Sequence, residues 1–172
     1  MELIVNVAEN WGIGYENRLL VSISADLRRF RQLTEGKTVI LGRKTLETFP
    51  GGRPLKNRTN IVLTANTDFS AGDAIIVHNR DELLRSISSM PSGQLCVIGG
   101  ASVYRMLLDY CDAARITKTY VNCKADAFFP NLDELANWKI SSQSEILEEN
   151  GVRFQYVDYV NLEPEALPAN RK

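Results

Sequence analysis

The stretch 19-LLVSISADLRRF-30 places an acid on an apolar helical face. Ser24 can cap a helix on which Ile23, Leu27 and Phe30 recur at i, i+4 and i+7, with Leu33 one turn beyond Phe30. Asp26 precedes Phe30 by four residues and Leu33 by seven, so it shares their face, while Arg28, Arg29, Arg31 and Gln32 point elsewhere. An aspartate in a first helical turn ordinarily complements the helix dipole. A second role needs a ligand, and the ligand needs other groups to hold it.

Those groups are cationic. Between Lys37 and Arg58 lie Lys37, Arg43, Lys44, Arg53, Lys56 and Arg58 against Glu47 alone, an arrangement that invites an anion. In TVILGRKT a strand runs into Gly42 and directly into a helix, so backbone N–H groups and the cations Arg43 and Lys44 gather at one sheet edge as a phosphate cradle. LCVIGGASVY repeats the design with Gly99 and Gly100. Neither turn fits a Walker A loop or G-x-G-x-x-G, but two such turns suit a dinucleotide that spans several strand ends.

The chain as a whole narrows the chemistry. Its 172 residues, 44% hydrophobic and 24% charged, fit one domain with a substantial core. The net charge of −1 argues against a globally basic nucleic-acid binder. Apolar runs are only strand-sized and no basic-then-apolar leader is seen, so a cytoplasmic protein without a membrane partner is expected. Cys96, Cys111 and Cys123 have no C-x-x-C spacing and read as buried thiols, which leaves no zinc or disulfide framework. The single histidine, His78, follows an apolar strand and is expected at the surface; no metal site is expected.

Positioning these groups requires alternating elements. Strand-like runs at 2–8, 38–41, 59–64, 74–77, 95–99 and 114–121 alternate with helical patterns at 25–35, from about 43, at 80–89 and at 101–109. The class is α/β, a central mixed and mainly parallel sheet with helices on both faces. KISSQSEILEE and VRFQYVDYVNL flank Asn150-Gly151, which predicts an antiparallel C-terminal hairpin. One domain over 1–162 and a frayed tail over 163–172 are expected. Residues 9–23, with Gly12, Gly14 and Asn17, read as a long mobile loop.

Taken in order, GIG (12–14), ADLRRF (25–30), ILGRKTLETF (40–49), RPL (53–55), NRTNIVLT (57–64), VIGGASVY (97–104) and ITKTYV (116–121) resemble dihydrofolate reductase, collinearly over roughly residues 3–160. The resemblance implies NADPH-dependent reduction of 7,8-dihydrofolate to tetrahydrofolate in one-carbon metabolism, with dihydrofolate and antifolate inhibitors as ligands and a monomer as the default. It assigns Asp26 as the pterin-binding carboxylate, accepting from the ring's 2-amino group and N3. Thr117 would bridge to Asp26 and the ring, and Ile4 and Ile98 would offer carbonyls. Leu27, Phe30, Phe49 and Leu55 would wall the aminobenzoyl group, and Arg58 would grip the glutamate α-carboxylate. Val5 and Tyr104 fall in the same substrate set. Ala8, Ile13 and Gly14 would line the nicotinamide. Gly42, Arg43, Lys44 and Thr45, with Gly99, Gly100, Ala101, Ser102 and Val103, would meet the phosphates. Leu63 falls in the same cofactor set, and Thr64 would lie near the adenosine 2′-phosphate. A cis peptide between Gly99 and Gly100 is also implied.

Three positions depart from that pattern. Leu19-Leu20-Val21 stands where the family commonly has L-P-W, Asn6 replaces a small apolar residue near the pterin, and Ser102 stands where an arginine often sits. A pyrimidine reductase of riboflavin synthesis and a non-catalytic binding module are alternatives; the ADLRRF acid and Arg58 favour folate.

Overall fold

The computed structural model describes residues 1–168. The chain runs β1 (Glu2–Val7), β2 (Gly12–Tyr15), β3 (Arg18–Leu19), α1 (Ser24–Thr34), β4 (Thr38–Gly42), α2 (Arg43–Glu47), β5 (Thr59–Leu63), β6 (Ile75–Val77), α3 (Arg80–Ile87), β7 (Leu95–Gly99), α4 (Ala101–Leu107), β8 (Ala113–Thr119), β9 (Ala127–Phe128), β10 (Trp138–Gln143), β11 (Leu147–Glu149) and β12 (Val152–Asn161). The main sheet has the order β10-β12-β8-β1-β7-β4-β5-β6, with β11 also on β12. Pairing is parallel from β8 across to β6 and antiparallel where β12 joins β8, β10 and β11. The β11–β12 turn is made by Asn150 and Gly151, both at positive φ (53° and 78°), the geometry an Asn-Gly hairpin favours.

Alternation along the strands sorts side chains onto two faces. Leu3, Val5, Val7, Ile40, Ile61 and Val97 pack against α3 and α4 through Leu83, Ile87, Val103 and Leu107. Ile4, Val39, Leu41, Val62, Cys96 and Ile98 form the opposite face with Leu46 of α2 and Phe30 and Leu33 of α1. Leu27 does not join that core: it is 52% exposed and faces a cleft. Asp26 shares that outlook and is half-buried rather than enclosed.

Ion pairs tie the strands together on the α1 side. Glu2 accepts from Lys37 (2.6 Å) and Arg115 (3.0 Å), Arg115 reaches Asp158 (2.9 Å), and Asp158 accepts from Arg29 of α1 (2.7 Å). Burial raises the Glu2 carboxyl, but hydrogen bonds from Lys37 and Arg115 outweigh it and hold the group below the ordinary glutamate range.

Two regions differ from the sequence reading. Residues 9–23 are not wholly loop: β2, β3 and β9 form a separate three-stranded sheet, and the β2–β3 hairpin turns through Glu16 and Asn17, both at positive φ. Strands of four and two residues containing two glycines leave no alternation to read. In the expected tail, Glu165 N–H donates to the Asp109 carbonyl (2.7 Å) and Leu167 packs against the core; residues 169–172 of that tail lie outside the described residues.

Candidate active site

The cleft exists because two parallel strands part. β1 pairs with β7 only at Glu2↔Cys96 and Leu3↔Val97, yet it continues along β8 as far as Val7↔Lys118. The β4–β7 register also slips, from Ile40↔Val97 to Leu41↔Gly99, so Ile98 has no partner on β4. The carboxyl ends of the central strands therefore diverge and open a cavity of about 1510 Å³. A pocket for one small ligand typically measures ~300–1,000 Å³, so this larger space suits two ligands end to end.

At one end α1 presents Asp26. Its two oxygens are held separately: Thr117 Oγ1 donates to Oδ1 (2.5 Å) and Asn6 Nδ2 donates to Oδ2 (3.0 Å). Thr117 does not line the cleft but lies buried beneath the carboxylate. Ser24, expected as the helix cap, begins the helix instead. The first-turn N–H groups of Ser24 and Ala25 donate to Glu149 of β11 (2.6 and 3.2 Å), a carboxylate no local sequence signal points to. Those two N–H bonds, the Ser24 one foremost, hold the Glu149 carboxyl below its ordinary range. Tyr104 donates its buried hydroxyl to the Ile4 carbonyl (2.7 Å), so that carbonyl keeps one lone pair for a ligand.

Leu27, Phe30, Phe49 and Leu55 continue the wall toward Arg58. Three bonds fix this guanidinium: Nε to Thr34 Oγ1 (3.0 Å), and its two terminal nitrogens to the carbonyls of Lys56 (2.7 Å) and Arg31 (3.2 Å). Its loop is clamped by buried Asn60, whose amide accepts from Leu55 N–H and donates to the carbonyls of Leu55 and Arg58. The sequence reading passed over Asn60, although an asparagine inside the strand TNIVL was its own signal of a polar network.

The other end carries the glycine turns. The Gly99–Gly100 peptide is cis, as the resemblance implied. Thr45 approaches so closely that a Cβ on either glycine would meet its Oγ1 at 3.1 Å, and Gly99 has φ +137°. Arg43 is not a free cation here: it pairs with Glu47 one turn on. Thr64 is buried, and its carbonyl meets His78 Nδ1 at 3.0 Å. His78, expected at the surface, lines the cleft with Asn79 and Arg80. Parallel strands all end at one edge, so a residue just after β6 stands beside those that follow β4 and β5. Ala8, Ile13, Gly14, Val5, Gly42, Lys44, Leu63 and Ala101 through Val103 line the same cavity.

The dihydrofolate reductase family profile matches residues 1–161. The chain belongs to the dihydrofolate reductase family. That family's reaction is the oxidoreduction in which NADPH reduces 7,8-dihydrofolate to tetrahydrofolate. A dihydrofolate reductase of Bacillus subtilis is 37% identical over 149 residues, 86% of each chain. A bifunctional dihydrofolate reductase-thymidylate synthase of Paramecium tetraurelia is 30% identical over 161 residues, and the chain spans 34% of its length. Among solved structures, dihydrofolate reductase from Enterococcus faecalis complexed with NADP(H) and RAB-propyl superposes with TM-score 0.80 at 29% identity, covering 93% of this chain and 95% of that one. The dihydrofolate reductase fold thus accounts for the mixed sheet, the C-terminal antiparallel strands and the site at the diverging strand ends. Among the described residues no helix is long and apolar enough to cross a membrane.

Proposed function

We propose that this chain reduces 7,8-dihydrofolate with NADPH in this cleft, as a monomer in the cytoplasm. The observation that carries the reading is Asp26, a carboxylate at the cleft wall with one donor on each oxygen. A carboxylate offers about four acceptor positions. Two remain, one per oxygen, which matches the adjacent 2-amino and N3–H donors of a pterin.

The residues at the far end fit a dinucleotide. The Thr45 contact leaves room for no side chain on Gly99 or Gly100, so ligand phosphates can approach the backbone there. Arg43, Lys44, Thr64 and His78 supply cations and polar groups for the phosphates, including a 2′-phosphate. NADPH, when bound, supplies the hydride. The chain's own groups do the rest: Ala8, Ile13 and Gly14 seat the nicotinamide, and Asp26 anchors the pterin edge. The negative charge of Asp26 favours the ring protonated at N5, with the proton taken from solvent, so that C6 becomes the better hydride acceptor. Arg58 holds the glutamate tail and fixes the ring's distance along the cleft.

Turnover is read as the fall in reduced-nicotinamide absorbance on adding dihydrofolate, with a ribosylaminopyrimidine as the control substrate. Asp26→Asn preserves size and NADPH affinity but should abolish most turnover at neutral pH, with partial recovery in acid where more free substrate is protonated. Near-normal turnover with a flat pH profile would refute the role given to Asp26.

A further inference from the structure

Asn6 is a polar residue in the otherwise apolar strand ELIVNV, where the family resemblance leads one to expect a small apolar side chain. A partly buried amide there is costly unless its groups are bonded. Both are: Nδ2 donates to Asp26 Oδ2 at 3.0 Å, and Oδ1 accepts from Thr119 Oγ1 at 2.7 Å. Thr119 is 1% exposed, two residues along β8 from Thr117. The strand period puts both threonines on one face, and both feed the same carboxylate, Thr117 directly and Thr119 through Asn6.

The orientation of this chain is determined. An ionised carboxylate only accepts, so the amide must turn its NH₂ to Asp26 and its oxygen to Thr119, whose hydroxyl then donates. Each link polarises the next toward the carboxylate. We propose that Asn6, aligned by Thr119, is a positioning residue for the reduction: it holds the second oxygen of Asp26 so that the carboxylate meets a folate-site ligand with one free acceptor position on each oxygen.

The proposal rests on the assignment of Asp26 as the pterin anchor. Two tyrosines also stand near Asp26. Tyr104 of α4 and Tyr156 of β12 are both pushed above the ordinary tyrosine range, by burial first and by Asp26 next, and stay neutral below pH 8.

The test measures the dissociation constant of a diaminopyrimidine for the NADPH complex at pH 7, beside kcat and KM for dihydrofolate, NADPH affinity and melting temperature. In Asn6→Ala the diaminopyrimidine should bind about tenfold more weakly and kcat/KM for dihydrofolate should fall by a similar factor, while NADPH affinity and melting temperature change little. Thr119→Val should weaken binding the same way by less, and Thr119→Ser, which keeps the hydroxyl, should leave it unchanged. Asn6→Ala combined with Thr119→Val should be no worse than Asn6→Ala alone, because both cut one chain of bonds. Unchanged ligand affinity in a stably folded Asn6→Ala protein, or strictly additive losses in the double variant, would overturn the proposal while dihydrofolate turnover by the unaltered chain still stood. No turnover by the unaltered chain would overturn the Asp26 assignment and this proposal together.

Discussion

Arg58→Leu probes the tail end of the cleft. The guanidinium has five N–H donors. Three are committed to Thr34, Lys56 and Arg31, which leaves two to meet a carboxylate. A charge-assisted contact of this kind is worth ~1.5–3 kcal/mol. Since ~1.4 kcal/mol is tenfold in affinity, its loss should weaken dihydrofolate binding by roughly 10- to 150-fold. Arg58 is only half-buried, so water screens part of the charge and the lower half of that range is expected. The same substitution releases the loop from Thr34 and Arg31, which could weaken any folate-site ligand. The assay therefore compares, by titration of the NADPH complex, dihydrofolate with a pterin lacking the aminobenzoylglutamate tail. Dihydrofolate should lose affinity and the truncated pterin should not, while NADPH binding stays unchanged. Equal losses for both folate-site ligands would show that Arg58 shapes the pocket without gripping a carboxylate.

Arg43→Ala should narrow the preference for NADPH over NADH by about tenfold; the pairing with Glu47 and partial exposure place it at the low end for a charge-assisted contact, and an unchanged kcat/KM ratio would remove Arg43 from the 2′-phosphate site. Glu2 gives a stability test: its carboxyl lies lower in the folded state than in the unfolded chain, so its contribution is present above the unfolded value and lost as pH falls through the folded one. Melting temperature should therefore fall as pH drops below the ordinary glutamate range, and the fall should be shallower in Glu2→Gln; parallel curves would count against it. Val21→Trp should tighten both dihydrofolate and a diaminopyrimidine by roughly two- to tenfold in a protein that still melts near the parent temperature, since an indole would close the edge that Val21 lines; no gain for either ligand would shift attention to Leu20 or Asn6.

What could be read beforehand follows from range. The 3.6-residue period placed Asp26 with Leu27 and Phe30, and the two glycine turns placed Arg43 and Gly99 at one sheet edge, because both are local patterns. The period alone could not show that this face meets a cleft rather than a core; only the resemblance set Leu27 against a ligand, and it stands 52% exposed on the cleft wall. Glu149 was invisible for a different reason. It caps α1 from a hairpin far along the chain, and its own neighbours, EILEEN, look like any solvated acidic turn. His78 could have been placed by topology alone, since once the sheet is read as parallel every residue after a strand falls at the binding edge.

The geometry of α1 explains why its sequence carries so much of the site. Asp26 holds one end of the substrate cleft, and Thr34, eight residues on, fixes Arg58 at the other through its hydroxyl. At 1.5 Å per residue those anchors stand ~12 Å apart along one rigid rod, a separation set by the helix rather than by loops. The rod is fixed at three heights: Glu149 takes its first N–H groups, Arg29 ties its middle to Asp158, and Thr34 joins its last turn to Arg58. A ligand with a donor edge at one end and a carboxylate at the other is thereby measured against the helix. A shorter ligand can satisfy Asp26 alone, which is why the truncated pterin isolates Arg58 from the acid at the opposite end of the rod.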